Sequence, residues 1–321
     1  MIQHYGLAWP EVNEDGYASV AAALNAYAQF TLDDSWAANR HIQRLLSSGQ
    51  GEAMDALAEH WNRVREQDMA PIDRSAGVLA TAVNEIPAAI ATLKLAIAAL
   101  AGELGALNAL TWASGALTVN PGAVAVAETV ATANTQKYAA RIAQLIQTTS
   151  QSIRQMLKGL LEDPDVIALE KVPTDLSGSS DAARDSGTGD AGGVAAGVAA
   201  GVAAVQPGGG GTGRAVESVL RVDHEEHKLA AQKIAEVAVD VRGRTTAVLT
   251  AAAAQHGTVK GSGSFAQAIG PDIDVVLDRL SAATAGVGHY LSGPLPDAIL
   301  QVSSSQQGTD QDLKQRMAQL D

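Results

Sequence analysis

Apolar residues recur at helical spacing on both sides of one short glycine turn, and this pattern constrains the fold most strongly. Two runs share a three-four-three spacing: Tyr17, Val20, Leu24 and Tyr27, then Met54, Leu57, Trp61 and Val64. A spacing of this kind places side chains on one face of a helix. Gly49, Gln50 and Gly51 separate the two stripes and are typical of a tight turn. The pattern therefore predicts an antiparallel helical hairpin.

The composition favours closely packed helices and excludes several function classes. Apolar residues make up 46% of the 321 residues but aromatic residues only 3%, so the core is predicted to consist of Ala, Val, Leu and Ile. Lys and Arg number 22 against 35 Asp and Glu, which gives a net charge of −13. This charge excludes a nucleic-acid partner and disfavours an anionic membrane surface. The absence of cysteine excludes disulfides and thiolate metal sites.

Composition also divides the chain into three predicted parts. Residues 1–162 are predicted to form a helical bundle, and Asp163–Pro164 is predicted to end its last helix. Residues 163–215 are rich in Gly, Ala and Ser and are predicted to be a flexible linker. Residues 216–321 are predicted to form a second helical hairpin with a polar C-terminal tail. The predicted fold class is all-α, with two helical-hairpin or bundle modules joined by the linker.

Prolines and charges mark the interior of the first part. Pro71 and Pro87 are predicted to kink or restart the helix that follows the hairpin, and Asn120–Gly122 is predicted to be a turn. The stretch between Arg74 and Glu128 is the most apolar of the chain. Its three charges and Pro87 interrupt every window of bilayer-spanning length, so we expect a buried helical core there.

The third part repeats the hairpin pattern. Its first predicted stripe consists of Ile234, Val237, Val241 and Val248. The second predicted stripe of this hairpin consists of Ile273, Val276, Leu280, Val287 and Leu291. A turn-rich loop at 257–263 separates the stripes, and Gly293–Pro294 is predicted to end the second helix.

Motifs that carry chemistry are weak throughout the chain. The glycine-rich stretches at 187–192 and 208–215 have the letters of nucleotide-binding loops but lack a preceding strand, and we interpret both as linker. His224 and His227 do not match the spacing of known metal motifs, so we expect a solvated first helical turn there. The other histidines are predicted to be surface or capping groups. The sequence thus predicts no enzyme, no cofactor and no metal site.

Two motifs resemble a known family. The opening Gly6–Glu11 (GLAWPE) and the run Gly49–Trp61 (GQGEAMDALAEHW) resemble the WXG-like N-terminal domain of actinobacterial proteins handled by type VII (ESX) secretion, which often heads large toxins. The resemblance covers residues 6–160. In that family the hairpin turn reads Trp-x-Gly, whereas Gly49 stands at the Trp position here, and Trp61 or Trp36 is the expected substitute. Residues 216–310 more weakly resemble the short ESX-secreted proteins related to EspC.

The resemblance implies a non-enzymatic secretion substrate or accessory protein that acts by pairing its helices with a partner. The implied partner is a small WXG-like helical hairpin protein or the secretion machinery, and a homo-oligomer is an alternative. No Tyr is followed by an acidic residue four positions later, so this chain lacks the family's secretion signal and a partner is expected to carry it. The implied location is secreted or attached to the cell envelope, without a cleavable signal peptide and after a cytoplasmic stage.

Nine apolar residues are the predicted partner-binding residues. They are Leu24, Tyr27, Leu57, Trp61 and Val64 in the first module and Val237, Val241, Val276 and Leu280 in the second. The alternative interpretation is that the same residues form the protein's own core.

Two other function classes stay open. A membrane-active or pore-forming protein is indicated by the apolar region 75–127 and by the glycine repeat at 193–201. The other alternative is a toxin-associated delivery module, because the related domain heads large toxins, or an enzyme or small toxin with a site in the C-terminal part, for which His224 and His227 are the best feature.

Overall fold

The computed structural model describes residues 7–10, 12–116, 121–176, 223–260 and 264–304. These residues are largely helical and include no β-strand, which confirms the all-α prediction. The helices are α1 (Glu14–Ser48), α2 (Glu52–Arg63), α3 (Ala70–Ala116), α4 (Pro121–Leu161), α5 (Pro164–Ala168), α6 (His224–Asp240), α7 (Thr246–Val259) and α8 (Ser264–Ser292). Two π-helical segments, Val64–Met69 and Val241–Thr245, connect α2 to α3 and α6 to α7.

The predicted turn between α1 and α2 is confirmed. Helix α1 ends at Ser48 and α2 begins at Glu52. Gly51 has a φ of 122°, a backbone conformation that side chains with a Cβ rarely adopt. Its carbonyl oxygen accepts a hydrogen bond from the Met54 amide at 2.9 Å, which starts the next helix.

The two prolines do not restart the helix as predicted. The chain stays helical from α2 through the segment Val64–Met69 into α3, which also continues through Pro87. In this segment the Ala70 amide bonds to the Arg65 carbonyl, five residues back, and Pro71 follows directly. A proline lacks an amide donor and crowds the carbonyl four residues before it, so a wider turn at this point relieves the clash.

The second π-helical segment changes which residues face the core. Such a segment inserts one residue into the helical repeat. Val248, predicted for the inner stripe, is only partly buried, whereas Leu249 is 3% exposed. The one-residue shift after Val241 explains the exchange, because it moves every later position of the stripe by one.

The chain separates into two compact units whose boundaries differ from those of the predicted modules. Unit 1 comprises Met1–Ala23, Val78–Glu162 and Ala251–Val276. Unit 2 comprises Leu24–Gly77, Asp163–Thr250 and Leu277–Asp321. Each unit therefore takes residues from both predicted modules, and the predicted two-module arrangement is not confirmed.

Unit 1 is held together by polar contacts as well as by apolar packing. Lys94 Nζ donates to the Val12 carbonyl at 2.9 Å and to the Glu14 carboxylate at 2.5 Å. The hydrogen bond from Lys94 is the main reason that the pKa of Glu14 is lowered. A Cβ at Gly16 would lie 2.0 Å from Cγ1 of Val259, so this close approach of α1 and α7 requires glycine.

The first fourteen residues of the predicted linker are ordered, which corrects the boundary at 163. Asp163 caps α5 by accepting a hydrogen bond from the Asp165 amide at 2.9 Å, and Pro164 opens the helix. The Asp165 carboxylate accepts two bonds from Arg74, both at 2.7 Å. Four apolar side chains at helical spacing are buried here: Val166, Leu169, Val172 and Leu176.

The C-terminal end is also more ordered than predicted. Gly293 interrupts the helix as expected, but residues 294–304 are helical again and bury Leu295, Ile299 and Val302. The remaining linker, with both glycine-rich stretches and the glycine repeat, lies outside the described residues, as do 1–6, Glu11, 117–120, 261–263 and the tail 305–321.

The register shift at the second π-helical segment predicts opposite sensitivities for two neighbours. Leu249→Ala should lower the free energy of unfolding by about 2–4 kcal/mol, because it leaves a cavity in the core. Val248→Ala, the matched control, should cost about 1 kcal/mol or less, because its side chain is partly solvated. Urea unfolding followed by circular dichroism measures both. A larger loss for Val248→Ala would contradict the shifted register.

Candidate functional site

All nine predicted partner-binding residues are buried inside the protein. Their side chains are between 0% and 6% exposed. Eight belong to unit 2, and Val276 belongs to unit 1. Because a buried side chain offers no surface to a partner, the alternative interpretation as internal core accounts for their positions.

Trp61 occupies the interior of the hairpin. It is fully buried, and its Nε1 donates to Oδ1 of Asn39 on α1 at 2.9 Å. Trp36, the other expected substitute for the family's tryptophan, is 66% exposed. Of the two, only Trp61 therefore packs across the helix pair.

Unit 2 contains buried polar pairs that join residues far apart in the sequence. The hydroxyl groups of Tyr27 and Thr284 lie 2.5 Å apart. The Asp34 carboxylate accepts hydrogen bonds from Thr245 at 2.6 Å and from Arg244 at 2.8 Å, and the Arg244 guanidinium lies over the Phe30 ring at 4.4 Å. Burial raises the pKa of Asp34, and the bonds from Thr245 and Arg244 counteract that rise.

A second set of buried polar residues lies in the first π-helical segment and in the end of α2 that precedes it. Arg63 donates to Nδ1 of His60 at 3.0 Å, so the ring carries its proton on Nε2 and donates it to Tyr290 Oη at 2.6 Å. Burial, with the charge of Arg63, lowers the pKa of His60 to about 4. Burial, with the charge of Asp175, raises the pKa of Asp68 to about 6. These contacts position side chains, and neither group is open to a substrate, since His60 and Asp68 are each 6% exposed.

The histidine cluster at the start of α6 is not the solvated turn that was predicted. His227 is fully buried, with Nδ1 at 2.9 Å from the Asp223 carbonyl, and burial lowers its pKa. His224 Nδ1 lies 2.7 Å from Ser303 Oγ and ties residues 294–304 to α6. Within the described part of the chain, no group of three or more His, Asp or Glu is arranged to hold a metal ion.

Two further histidines are core residues and not the surface groups expected. His60 pairs with Tyr290, as described above. His256 in unit 1 is fully buried, with Nε2 at 3.3 Å from both the Gly270 carbonyl and the Asp274 carboxylate. Lys260 also binds Asp274, at 2.7 Å, and the Tyr17 ring lies 5.9 Å from the His256 ring. The apolar context of α7 and α8 buries these rings, a feature that single histidines in a sequence do not reveal.

Many of the exposed large apolar side chains of the described residues lie on α3 and α4 within unit 1. We define the α3–α4 apolar face by Leu95, Leu107, Leu110, Trp112, Val124, Val126 and Val130, each 40% exposed or more. A buried helical core is predicted between Arg74 and Glu128, but the two helices are buried on one side only here, at Leu104, Ala127 and Ala131, for example. The sequence signal that was missed is the scarcity of charge: residues 95–136 contain only two charged residues, Glu103 and Glu128.

A cavity of about 440 Å³ lies between α3 and α4, and Trp112 is the one residue of the α3–α4 apolar face among its lining residues. Its lining includes Trp112 and Glu128 and small residues such as Gly105 and Ala131. Asn108 lines it as well and is 5% exposed. Oδ1 of Asn108 is buried without a hydrogen-bond partner.

Comparisons with known proteins give no further guide to this surface. No protein-family model matches the chain, and searches of curated proteins and of solved structures also found no match.

The buried Asp68 predicts a pH-dependent effect of Asp68→Asn. Burial raises the pKa of Asp68 from its ordinary value of 3.8 to about 6 in the folded state, so the wild type loses stability as the pH rises from about 4 to about 6. The asparagine does not ionise and avoids this loss. The variant should therefore gain about 2–3 kcal/mol relative to wild type between pH 3.5 and pH 7. Urea unfolding across this range measures the gain, and a difference independent of pH would contradict the prediction.

Proposed function

We propose that this chain is a non-enzymatic substrate or accessory protein of a type VII-like secretion system, which acts by binding a helical partner. The resemblance over residues 6–160 supports the secretion assignment. The observation that carries the binding mechanism is the α3–α4 apolar face, which exposes seven large apolar residues on two adjacent helices. The binding surface is thus assigned to this face and not to the nine residues named from the sequence.

Burial of apolar surface would supply the free energy of binding. Two adjacent helices bury only the sides that face each other and their neighbours, so the outer side of α3 and α4 stays in water. Covering apolar surface with a partner contributes roughly 25 cal/mol per Å² removed from water. A partner helix or hairpin of matching apolarity would supply that cover and form a four-helix arrangement with α3 and α4.

The export route in this proposal depends on the partner. The sequence has no Tyr-x-x-x-Asp/Glu motif, so a WXG-like hairpin protein bound at the α3–α4 apolar face would carry the secretion signal. The chain would then reach the cell envelope or the exterior as part of that complex.

A membrane-active protein is the second candidate, favoured by one observation. Within the described residues, one helical run, 53–114, is long and apolar enough to cross a bilayer, and 28% of its most apolar window is buried. The core helices of soluble proteins also meet this criterion. Glu103 and Glu128 weigh against insertion, because a carboxylate in the hydrocarbon region is costly.

The proposal predicts that Leu110→Asp prevents partner binding without unfolding the protein. Leu110 is 69% exposed, so the fold should keep its helical circular dichroism and melting temperature. Binding should weaken by about tenfold or more, because the partner would have to bury a carboxylate. Size-exclusion chromatography with light scattering, with small hairpin proteins encoded beside this chain, measures the complex.

Two variants make this experiment specific. Val239→Asp is the matched control, because Val239 is 62% exposed in α6 and is not one of the residues of the proposed surface, so binding should stay at the wild-type level. Leu57→Asp should instead unfold the protein, because Leu57 is 1% exposed. If Leu110→Asp binds the hairpin proteins as well as the wild type does, the proposal is overturned. It is also overturned if the wild type forms a complex with none of them.

A further inference from the structure

The ordered segment that follows α4 packs along unit 2 and ends beside a buried carboxyl group. We define the strap as residues 163–176, all of which belong to unit 2. Its four inward-facing apolar side chains, from Val166 to Leu176, are each at most 1% exposed, whereas Glu170 and Lys171 on its other side face solvent. Apolar burial therefore holds the strap on the unit along its whole length.

Two arginines also hold the first part of the strap. Arg74 on α3 donates two hydrogen bonds to the Asp165 carboxylate, both at 2.7 Å. Arg279 on α8 pairs with Glu170. Hydrogen bonds between a guanidinium and a carboxylate are stronger than those between neutral groups, so charge adds to burial in this part of the strap.

The last part of the strap follows α8 towards Asp68. A Cβ at Gly286 would lie 3.1 Å from Cα of Pro173, so the strap lies directly against this helix. Tyr290 is one helical turn further along α8, on the same face. Burial, with the charge of Asp68, raises the pKa of Tyr290, which places Asp68 beside that turn. Asp175, two residues beyond Pro173, therefore reaches the same level, and its charge acts on Asp68.

Asp68 is surrounded by groups from three elements besides its own π-helical segment. It is 6% exposed. Helix α2 contributes Arg63 and, through Tyr290, His60; α8 contributes Tyr290; and the strap contributes Asp175. Burial lowers the pKa of His60 to about 4 and raises that of Tyr290, so both side chains are neutral between pH 5 and pH 8. Of these four neighbours, Arg63 and Asp175 are the charged ones in that range.

We propose that the end of the strap, residues 172–176, is a pH-controlled latch, which is closed while Asp68 is protonated and opens more often once Asp68 is ionised. Two ionised carboxylates at a buried site repel each other, and each of them loses hydration there. Opening the end of the strap moves Asp175 away and lets water reach Asp68. The two arginines keep the first part of the strap in place, so the opening is confined to its end. The inference goes beyond the proposed function, because it concerns unit 2 and does not involve the α3–α4 apolar face.

The direction of the pKa shift sets the pH range of the latch. Burial, with the charge of Asp175, raises the pKa of Asp68 from 3.8 to about 6 while the latch is closed, and opening lowers it again. The closed form thus binds the proton more tightly, so closure is most favourable below about pH 4 and weakens as the pH rises to about 6. The hydrogen bond from Arg74 lowers the pKa of Asp165, so that ion pair is lost only at a pH below about 4.

Hydrogen exchange of single amides, measured by NMR on the full chain, tests the latch. The amides of Thr174 and Asp175 both donate to the Lys171 carbonyl at 2.9 Å and report on the end of the strap. The Leu169 amide donates to the Asp165 carbonyl at 3.3 Å and reports on its first part. Between pH 5 and pH 7.5 the protection factors of Thr174 and Asp175 should fall by about tenfold, the equivalent of one pKa unit, while that of Leu169 stays within about twofold.

Three variants assign the effect to Asp68. Asp68→Asn should keep the protection factor of the Thr174 amide at its pH 5 level up to pH 7.5, because the asparagine does not ionise. Asp175→Asn should raise that protection factor at pH 7.5, because the repulsion is removed. Glu66→Gln is the matched control. It removes a carboxylate from the same π-helical segment, but Glu66 lines a groove next to α1 and the variant should keep the wild-type pH dependence.

The outcomes decide whether the latch exists. It is overturned if the protection factor of Thr174 does not change with pH in the wild type, or changes as much in Asp68→Asn as in the wild type. An equal loss at Leu169 and Thr174 would also overturn it, because the strap would then open as a whole. Circular dichroism shows whether each variant is folded. If Asp68→Asn does not fold, Asp175→Asn decides, and an unchanged protection factor at pH 7.5 in that variant contradicts the latch.

Discussion

Buried polar groups in unit 2 link the two ends of the sequence, and the rest of that unit depends on them. Tyr27 pairs with Thr284, Asp34 with Thr245 and Arg244, and His60 with Tyr290. Each of these groups is costly to bury alone and has a hydrogen-bond partner more than 200 positions away in the sequence. Helices α1 and α2 therefore need α8 and the residues around Thr245 to complete their core.

This pairing decides where a partner can bind. The apolar stripes that were predicted to form an interface are buried inside the protein, so Leu24, Leu57 and Leu280 stabilise the fold. Helices α3 and α4 differ between residues 95 and 136, because large apolar side chains stay exposed there and the stretch has only two charges, Glu103 and Glu128. An apolar surface of this kind indicates binding.

Local patterns predicted the elements well, and long-range contacts explain what they missed. The helices, the Gly49–Gly51 turn and the stop at Asp163 follow from spacing, backbone freedom and capping, which are properties of neighbouring residues. Leu249 is buried in place of Val248 because of a π-helical segment, which the apolar periodicity of the sequence does not predict. The candidate surface could have been found from the scarcity of charge in α3 and α4, but the cavity could not, because it depends on how Gly105 and Ala131 meet.

Hydrogen exchange with increasing denaturant tests the central claim, that the C-terminal helices complete the core of the N-terminal ones. It measures the free energy at which each segment opens. The slowest amides of α1 within 24–48 and of α8 within 277–292 should open together, with the same free energy and the same denaturant dependence. If the α8 amides open at clearly lower free energy while those of α1 stay protected, the two ends fold independently and the account is wrong.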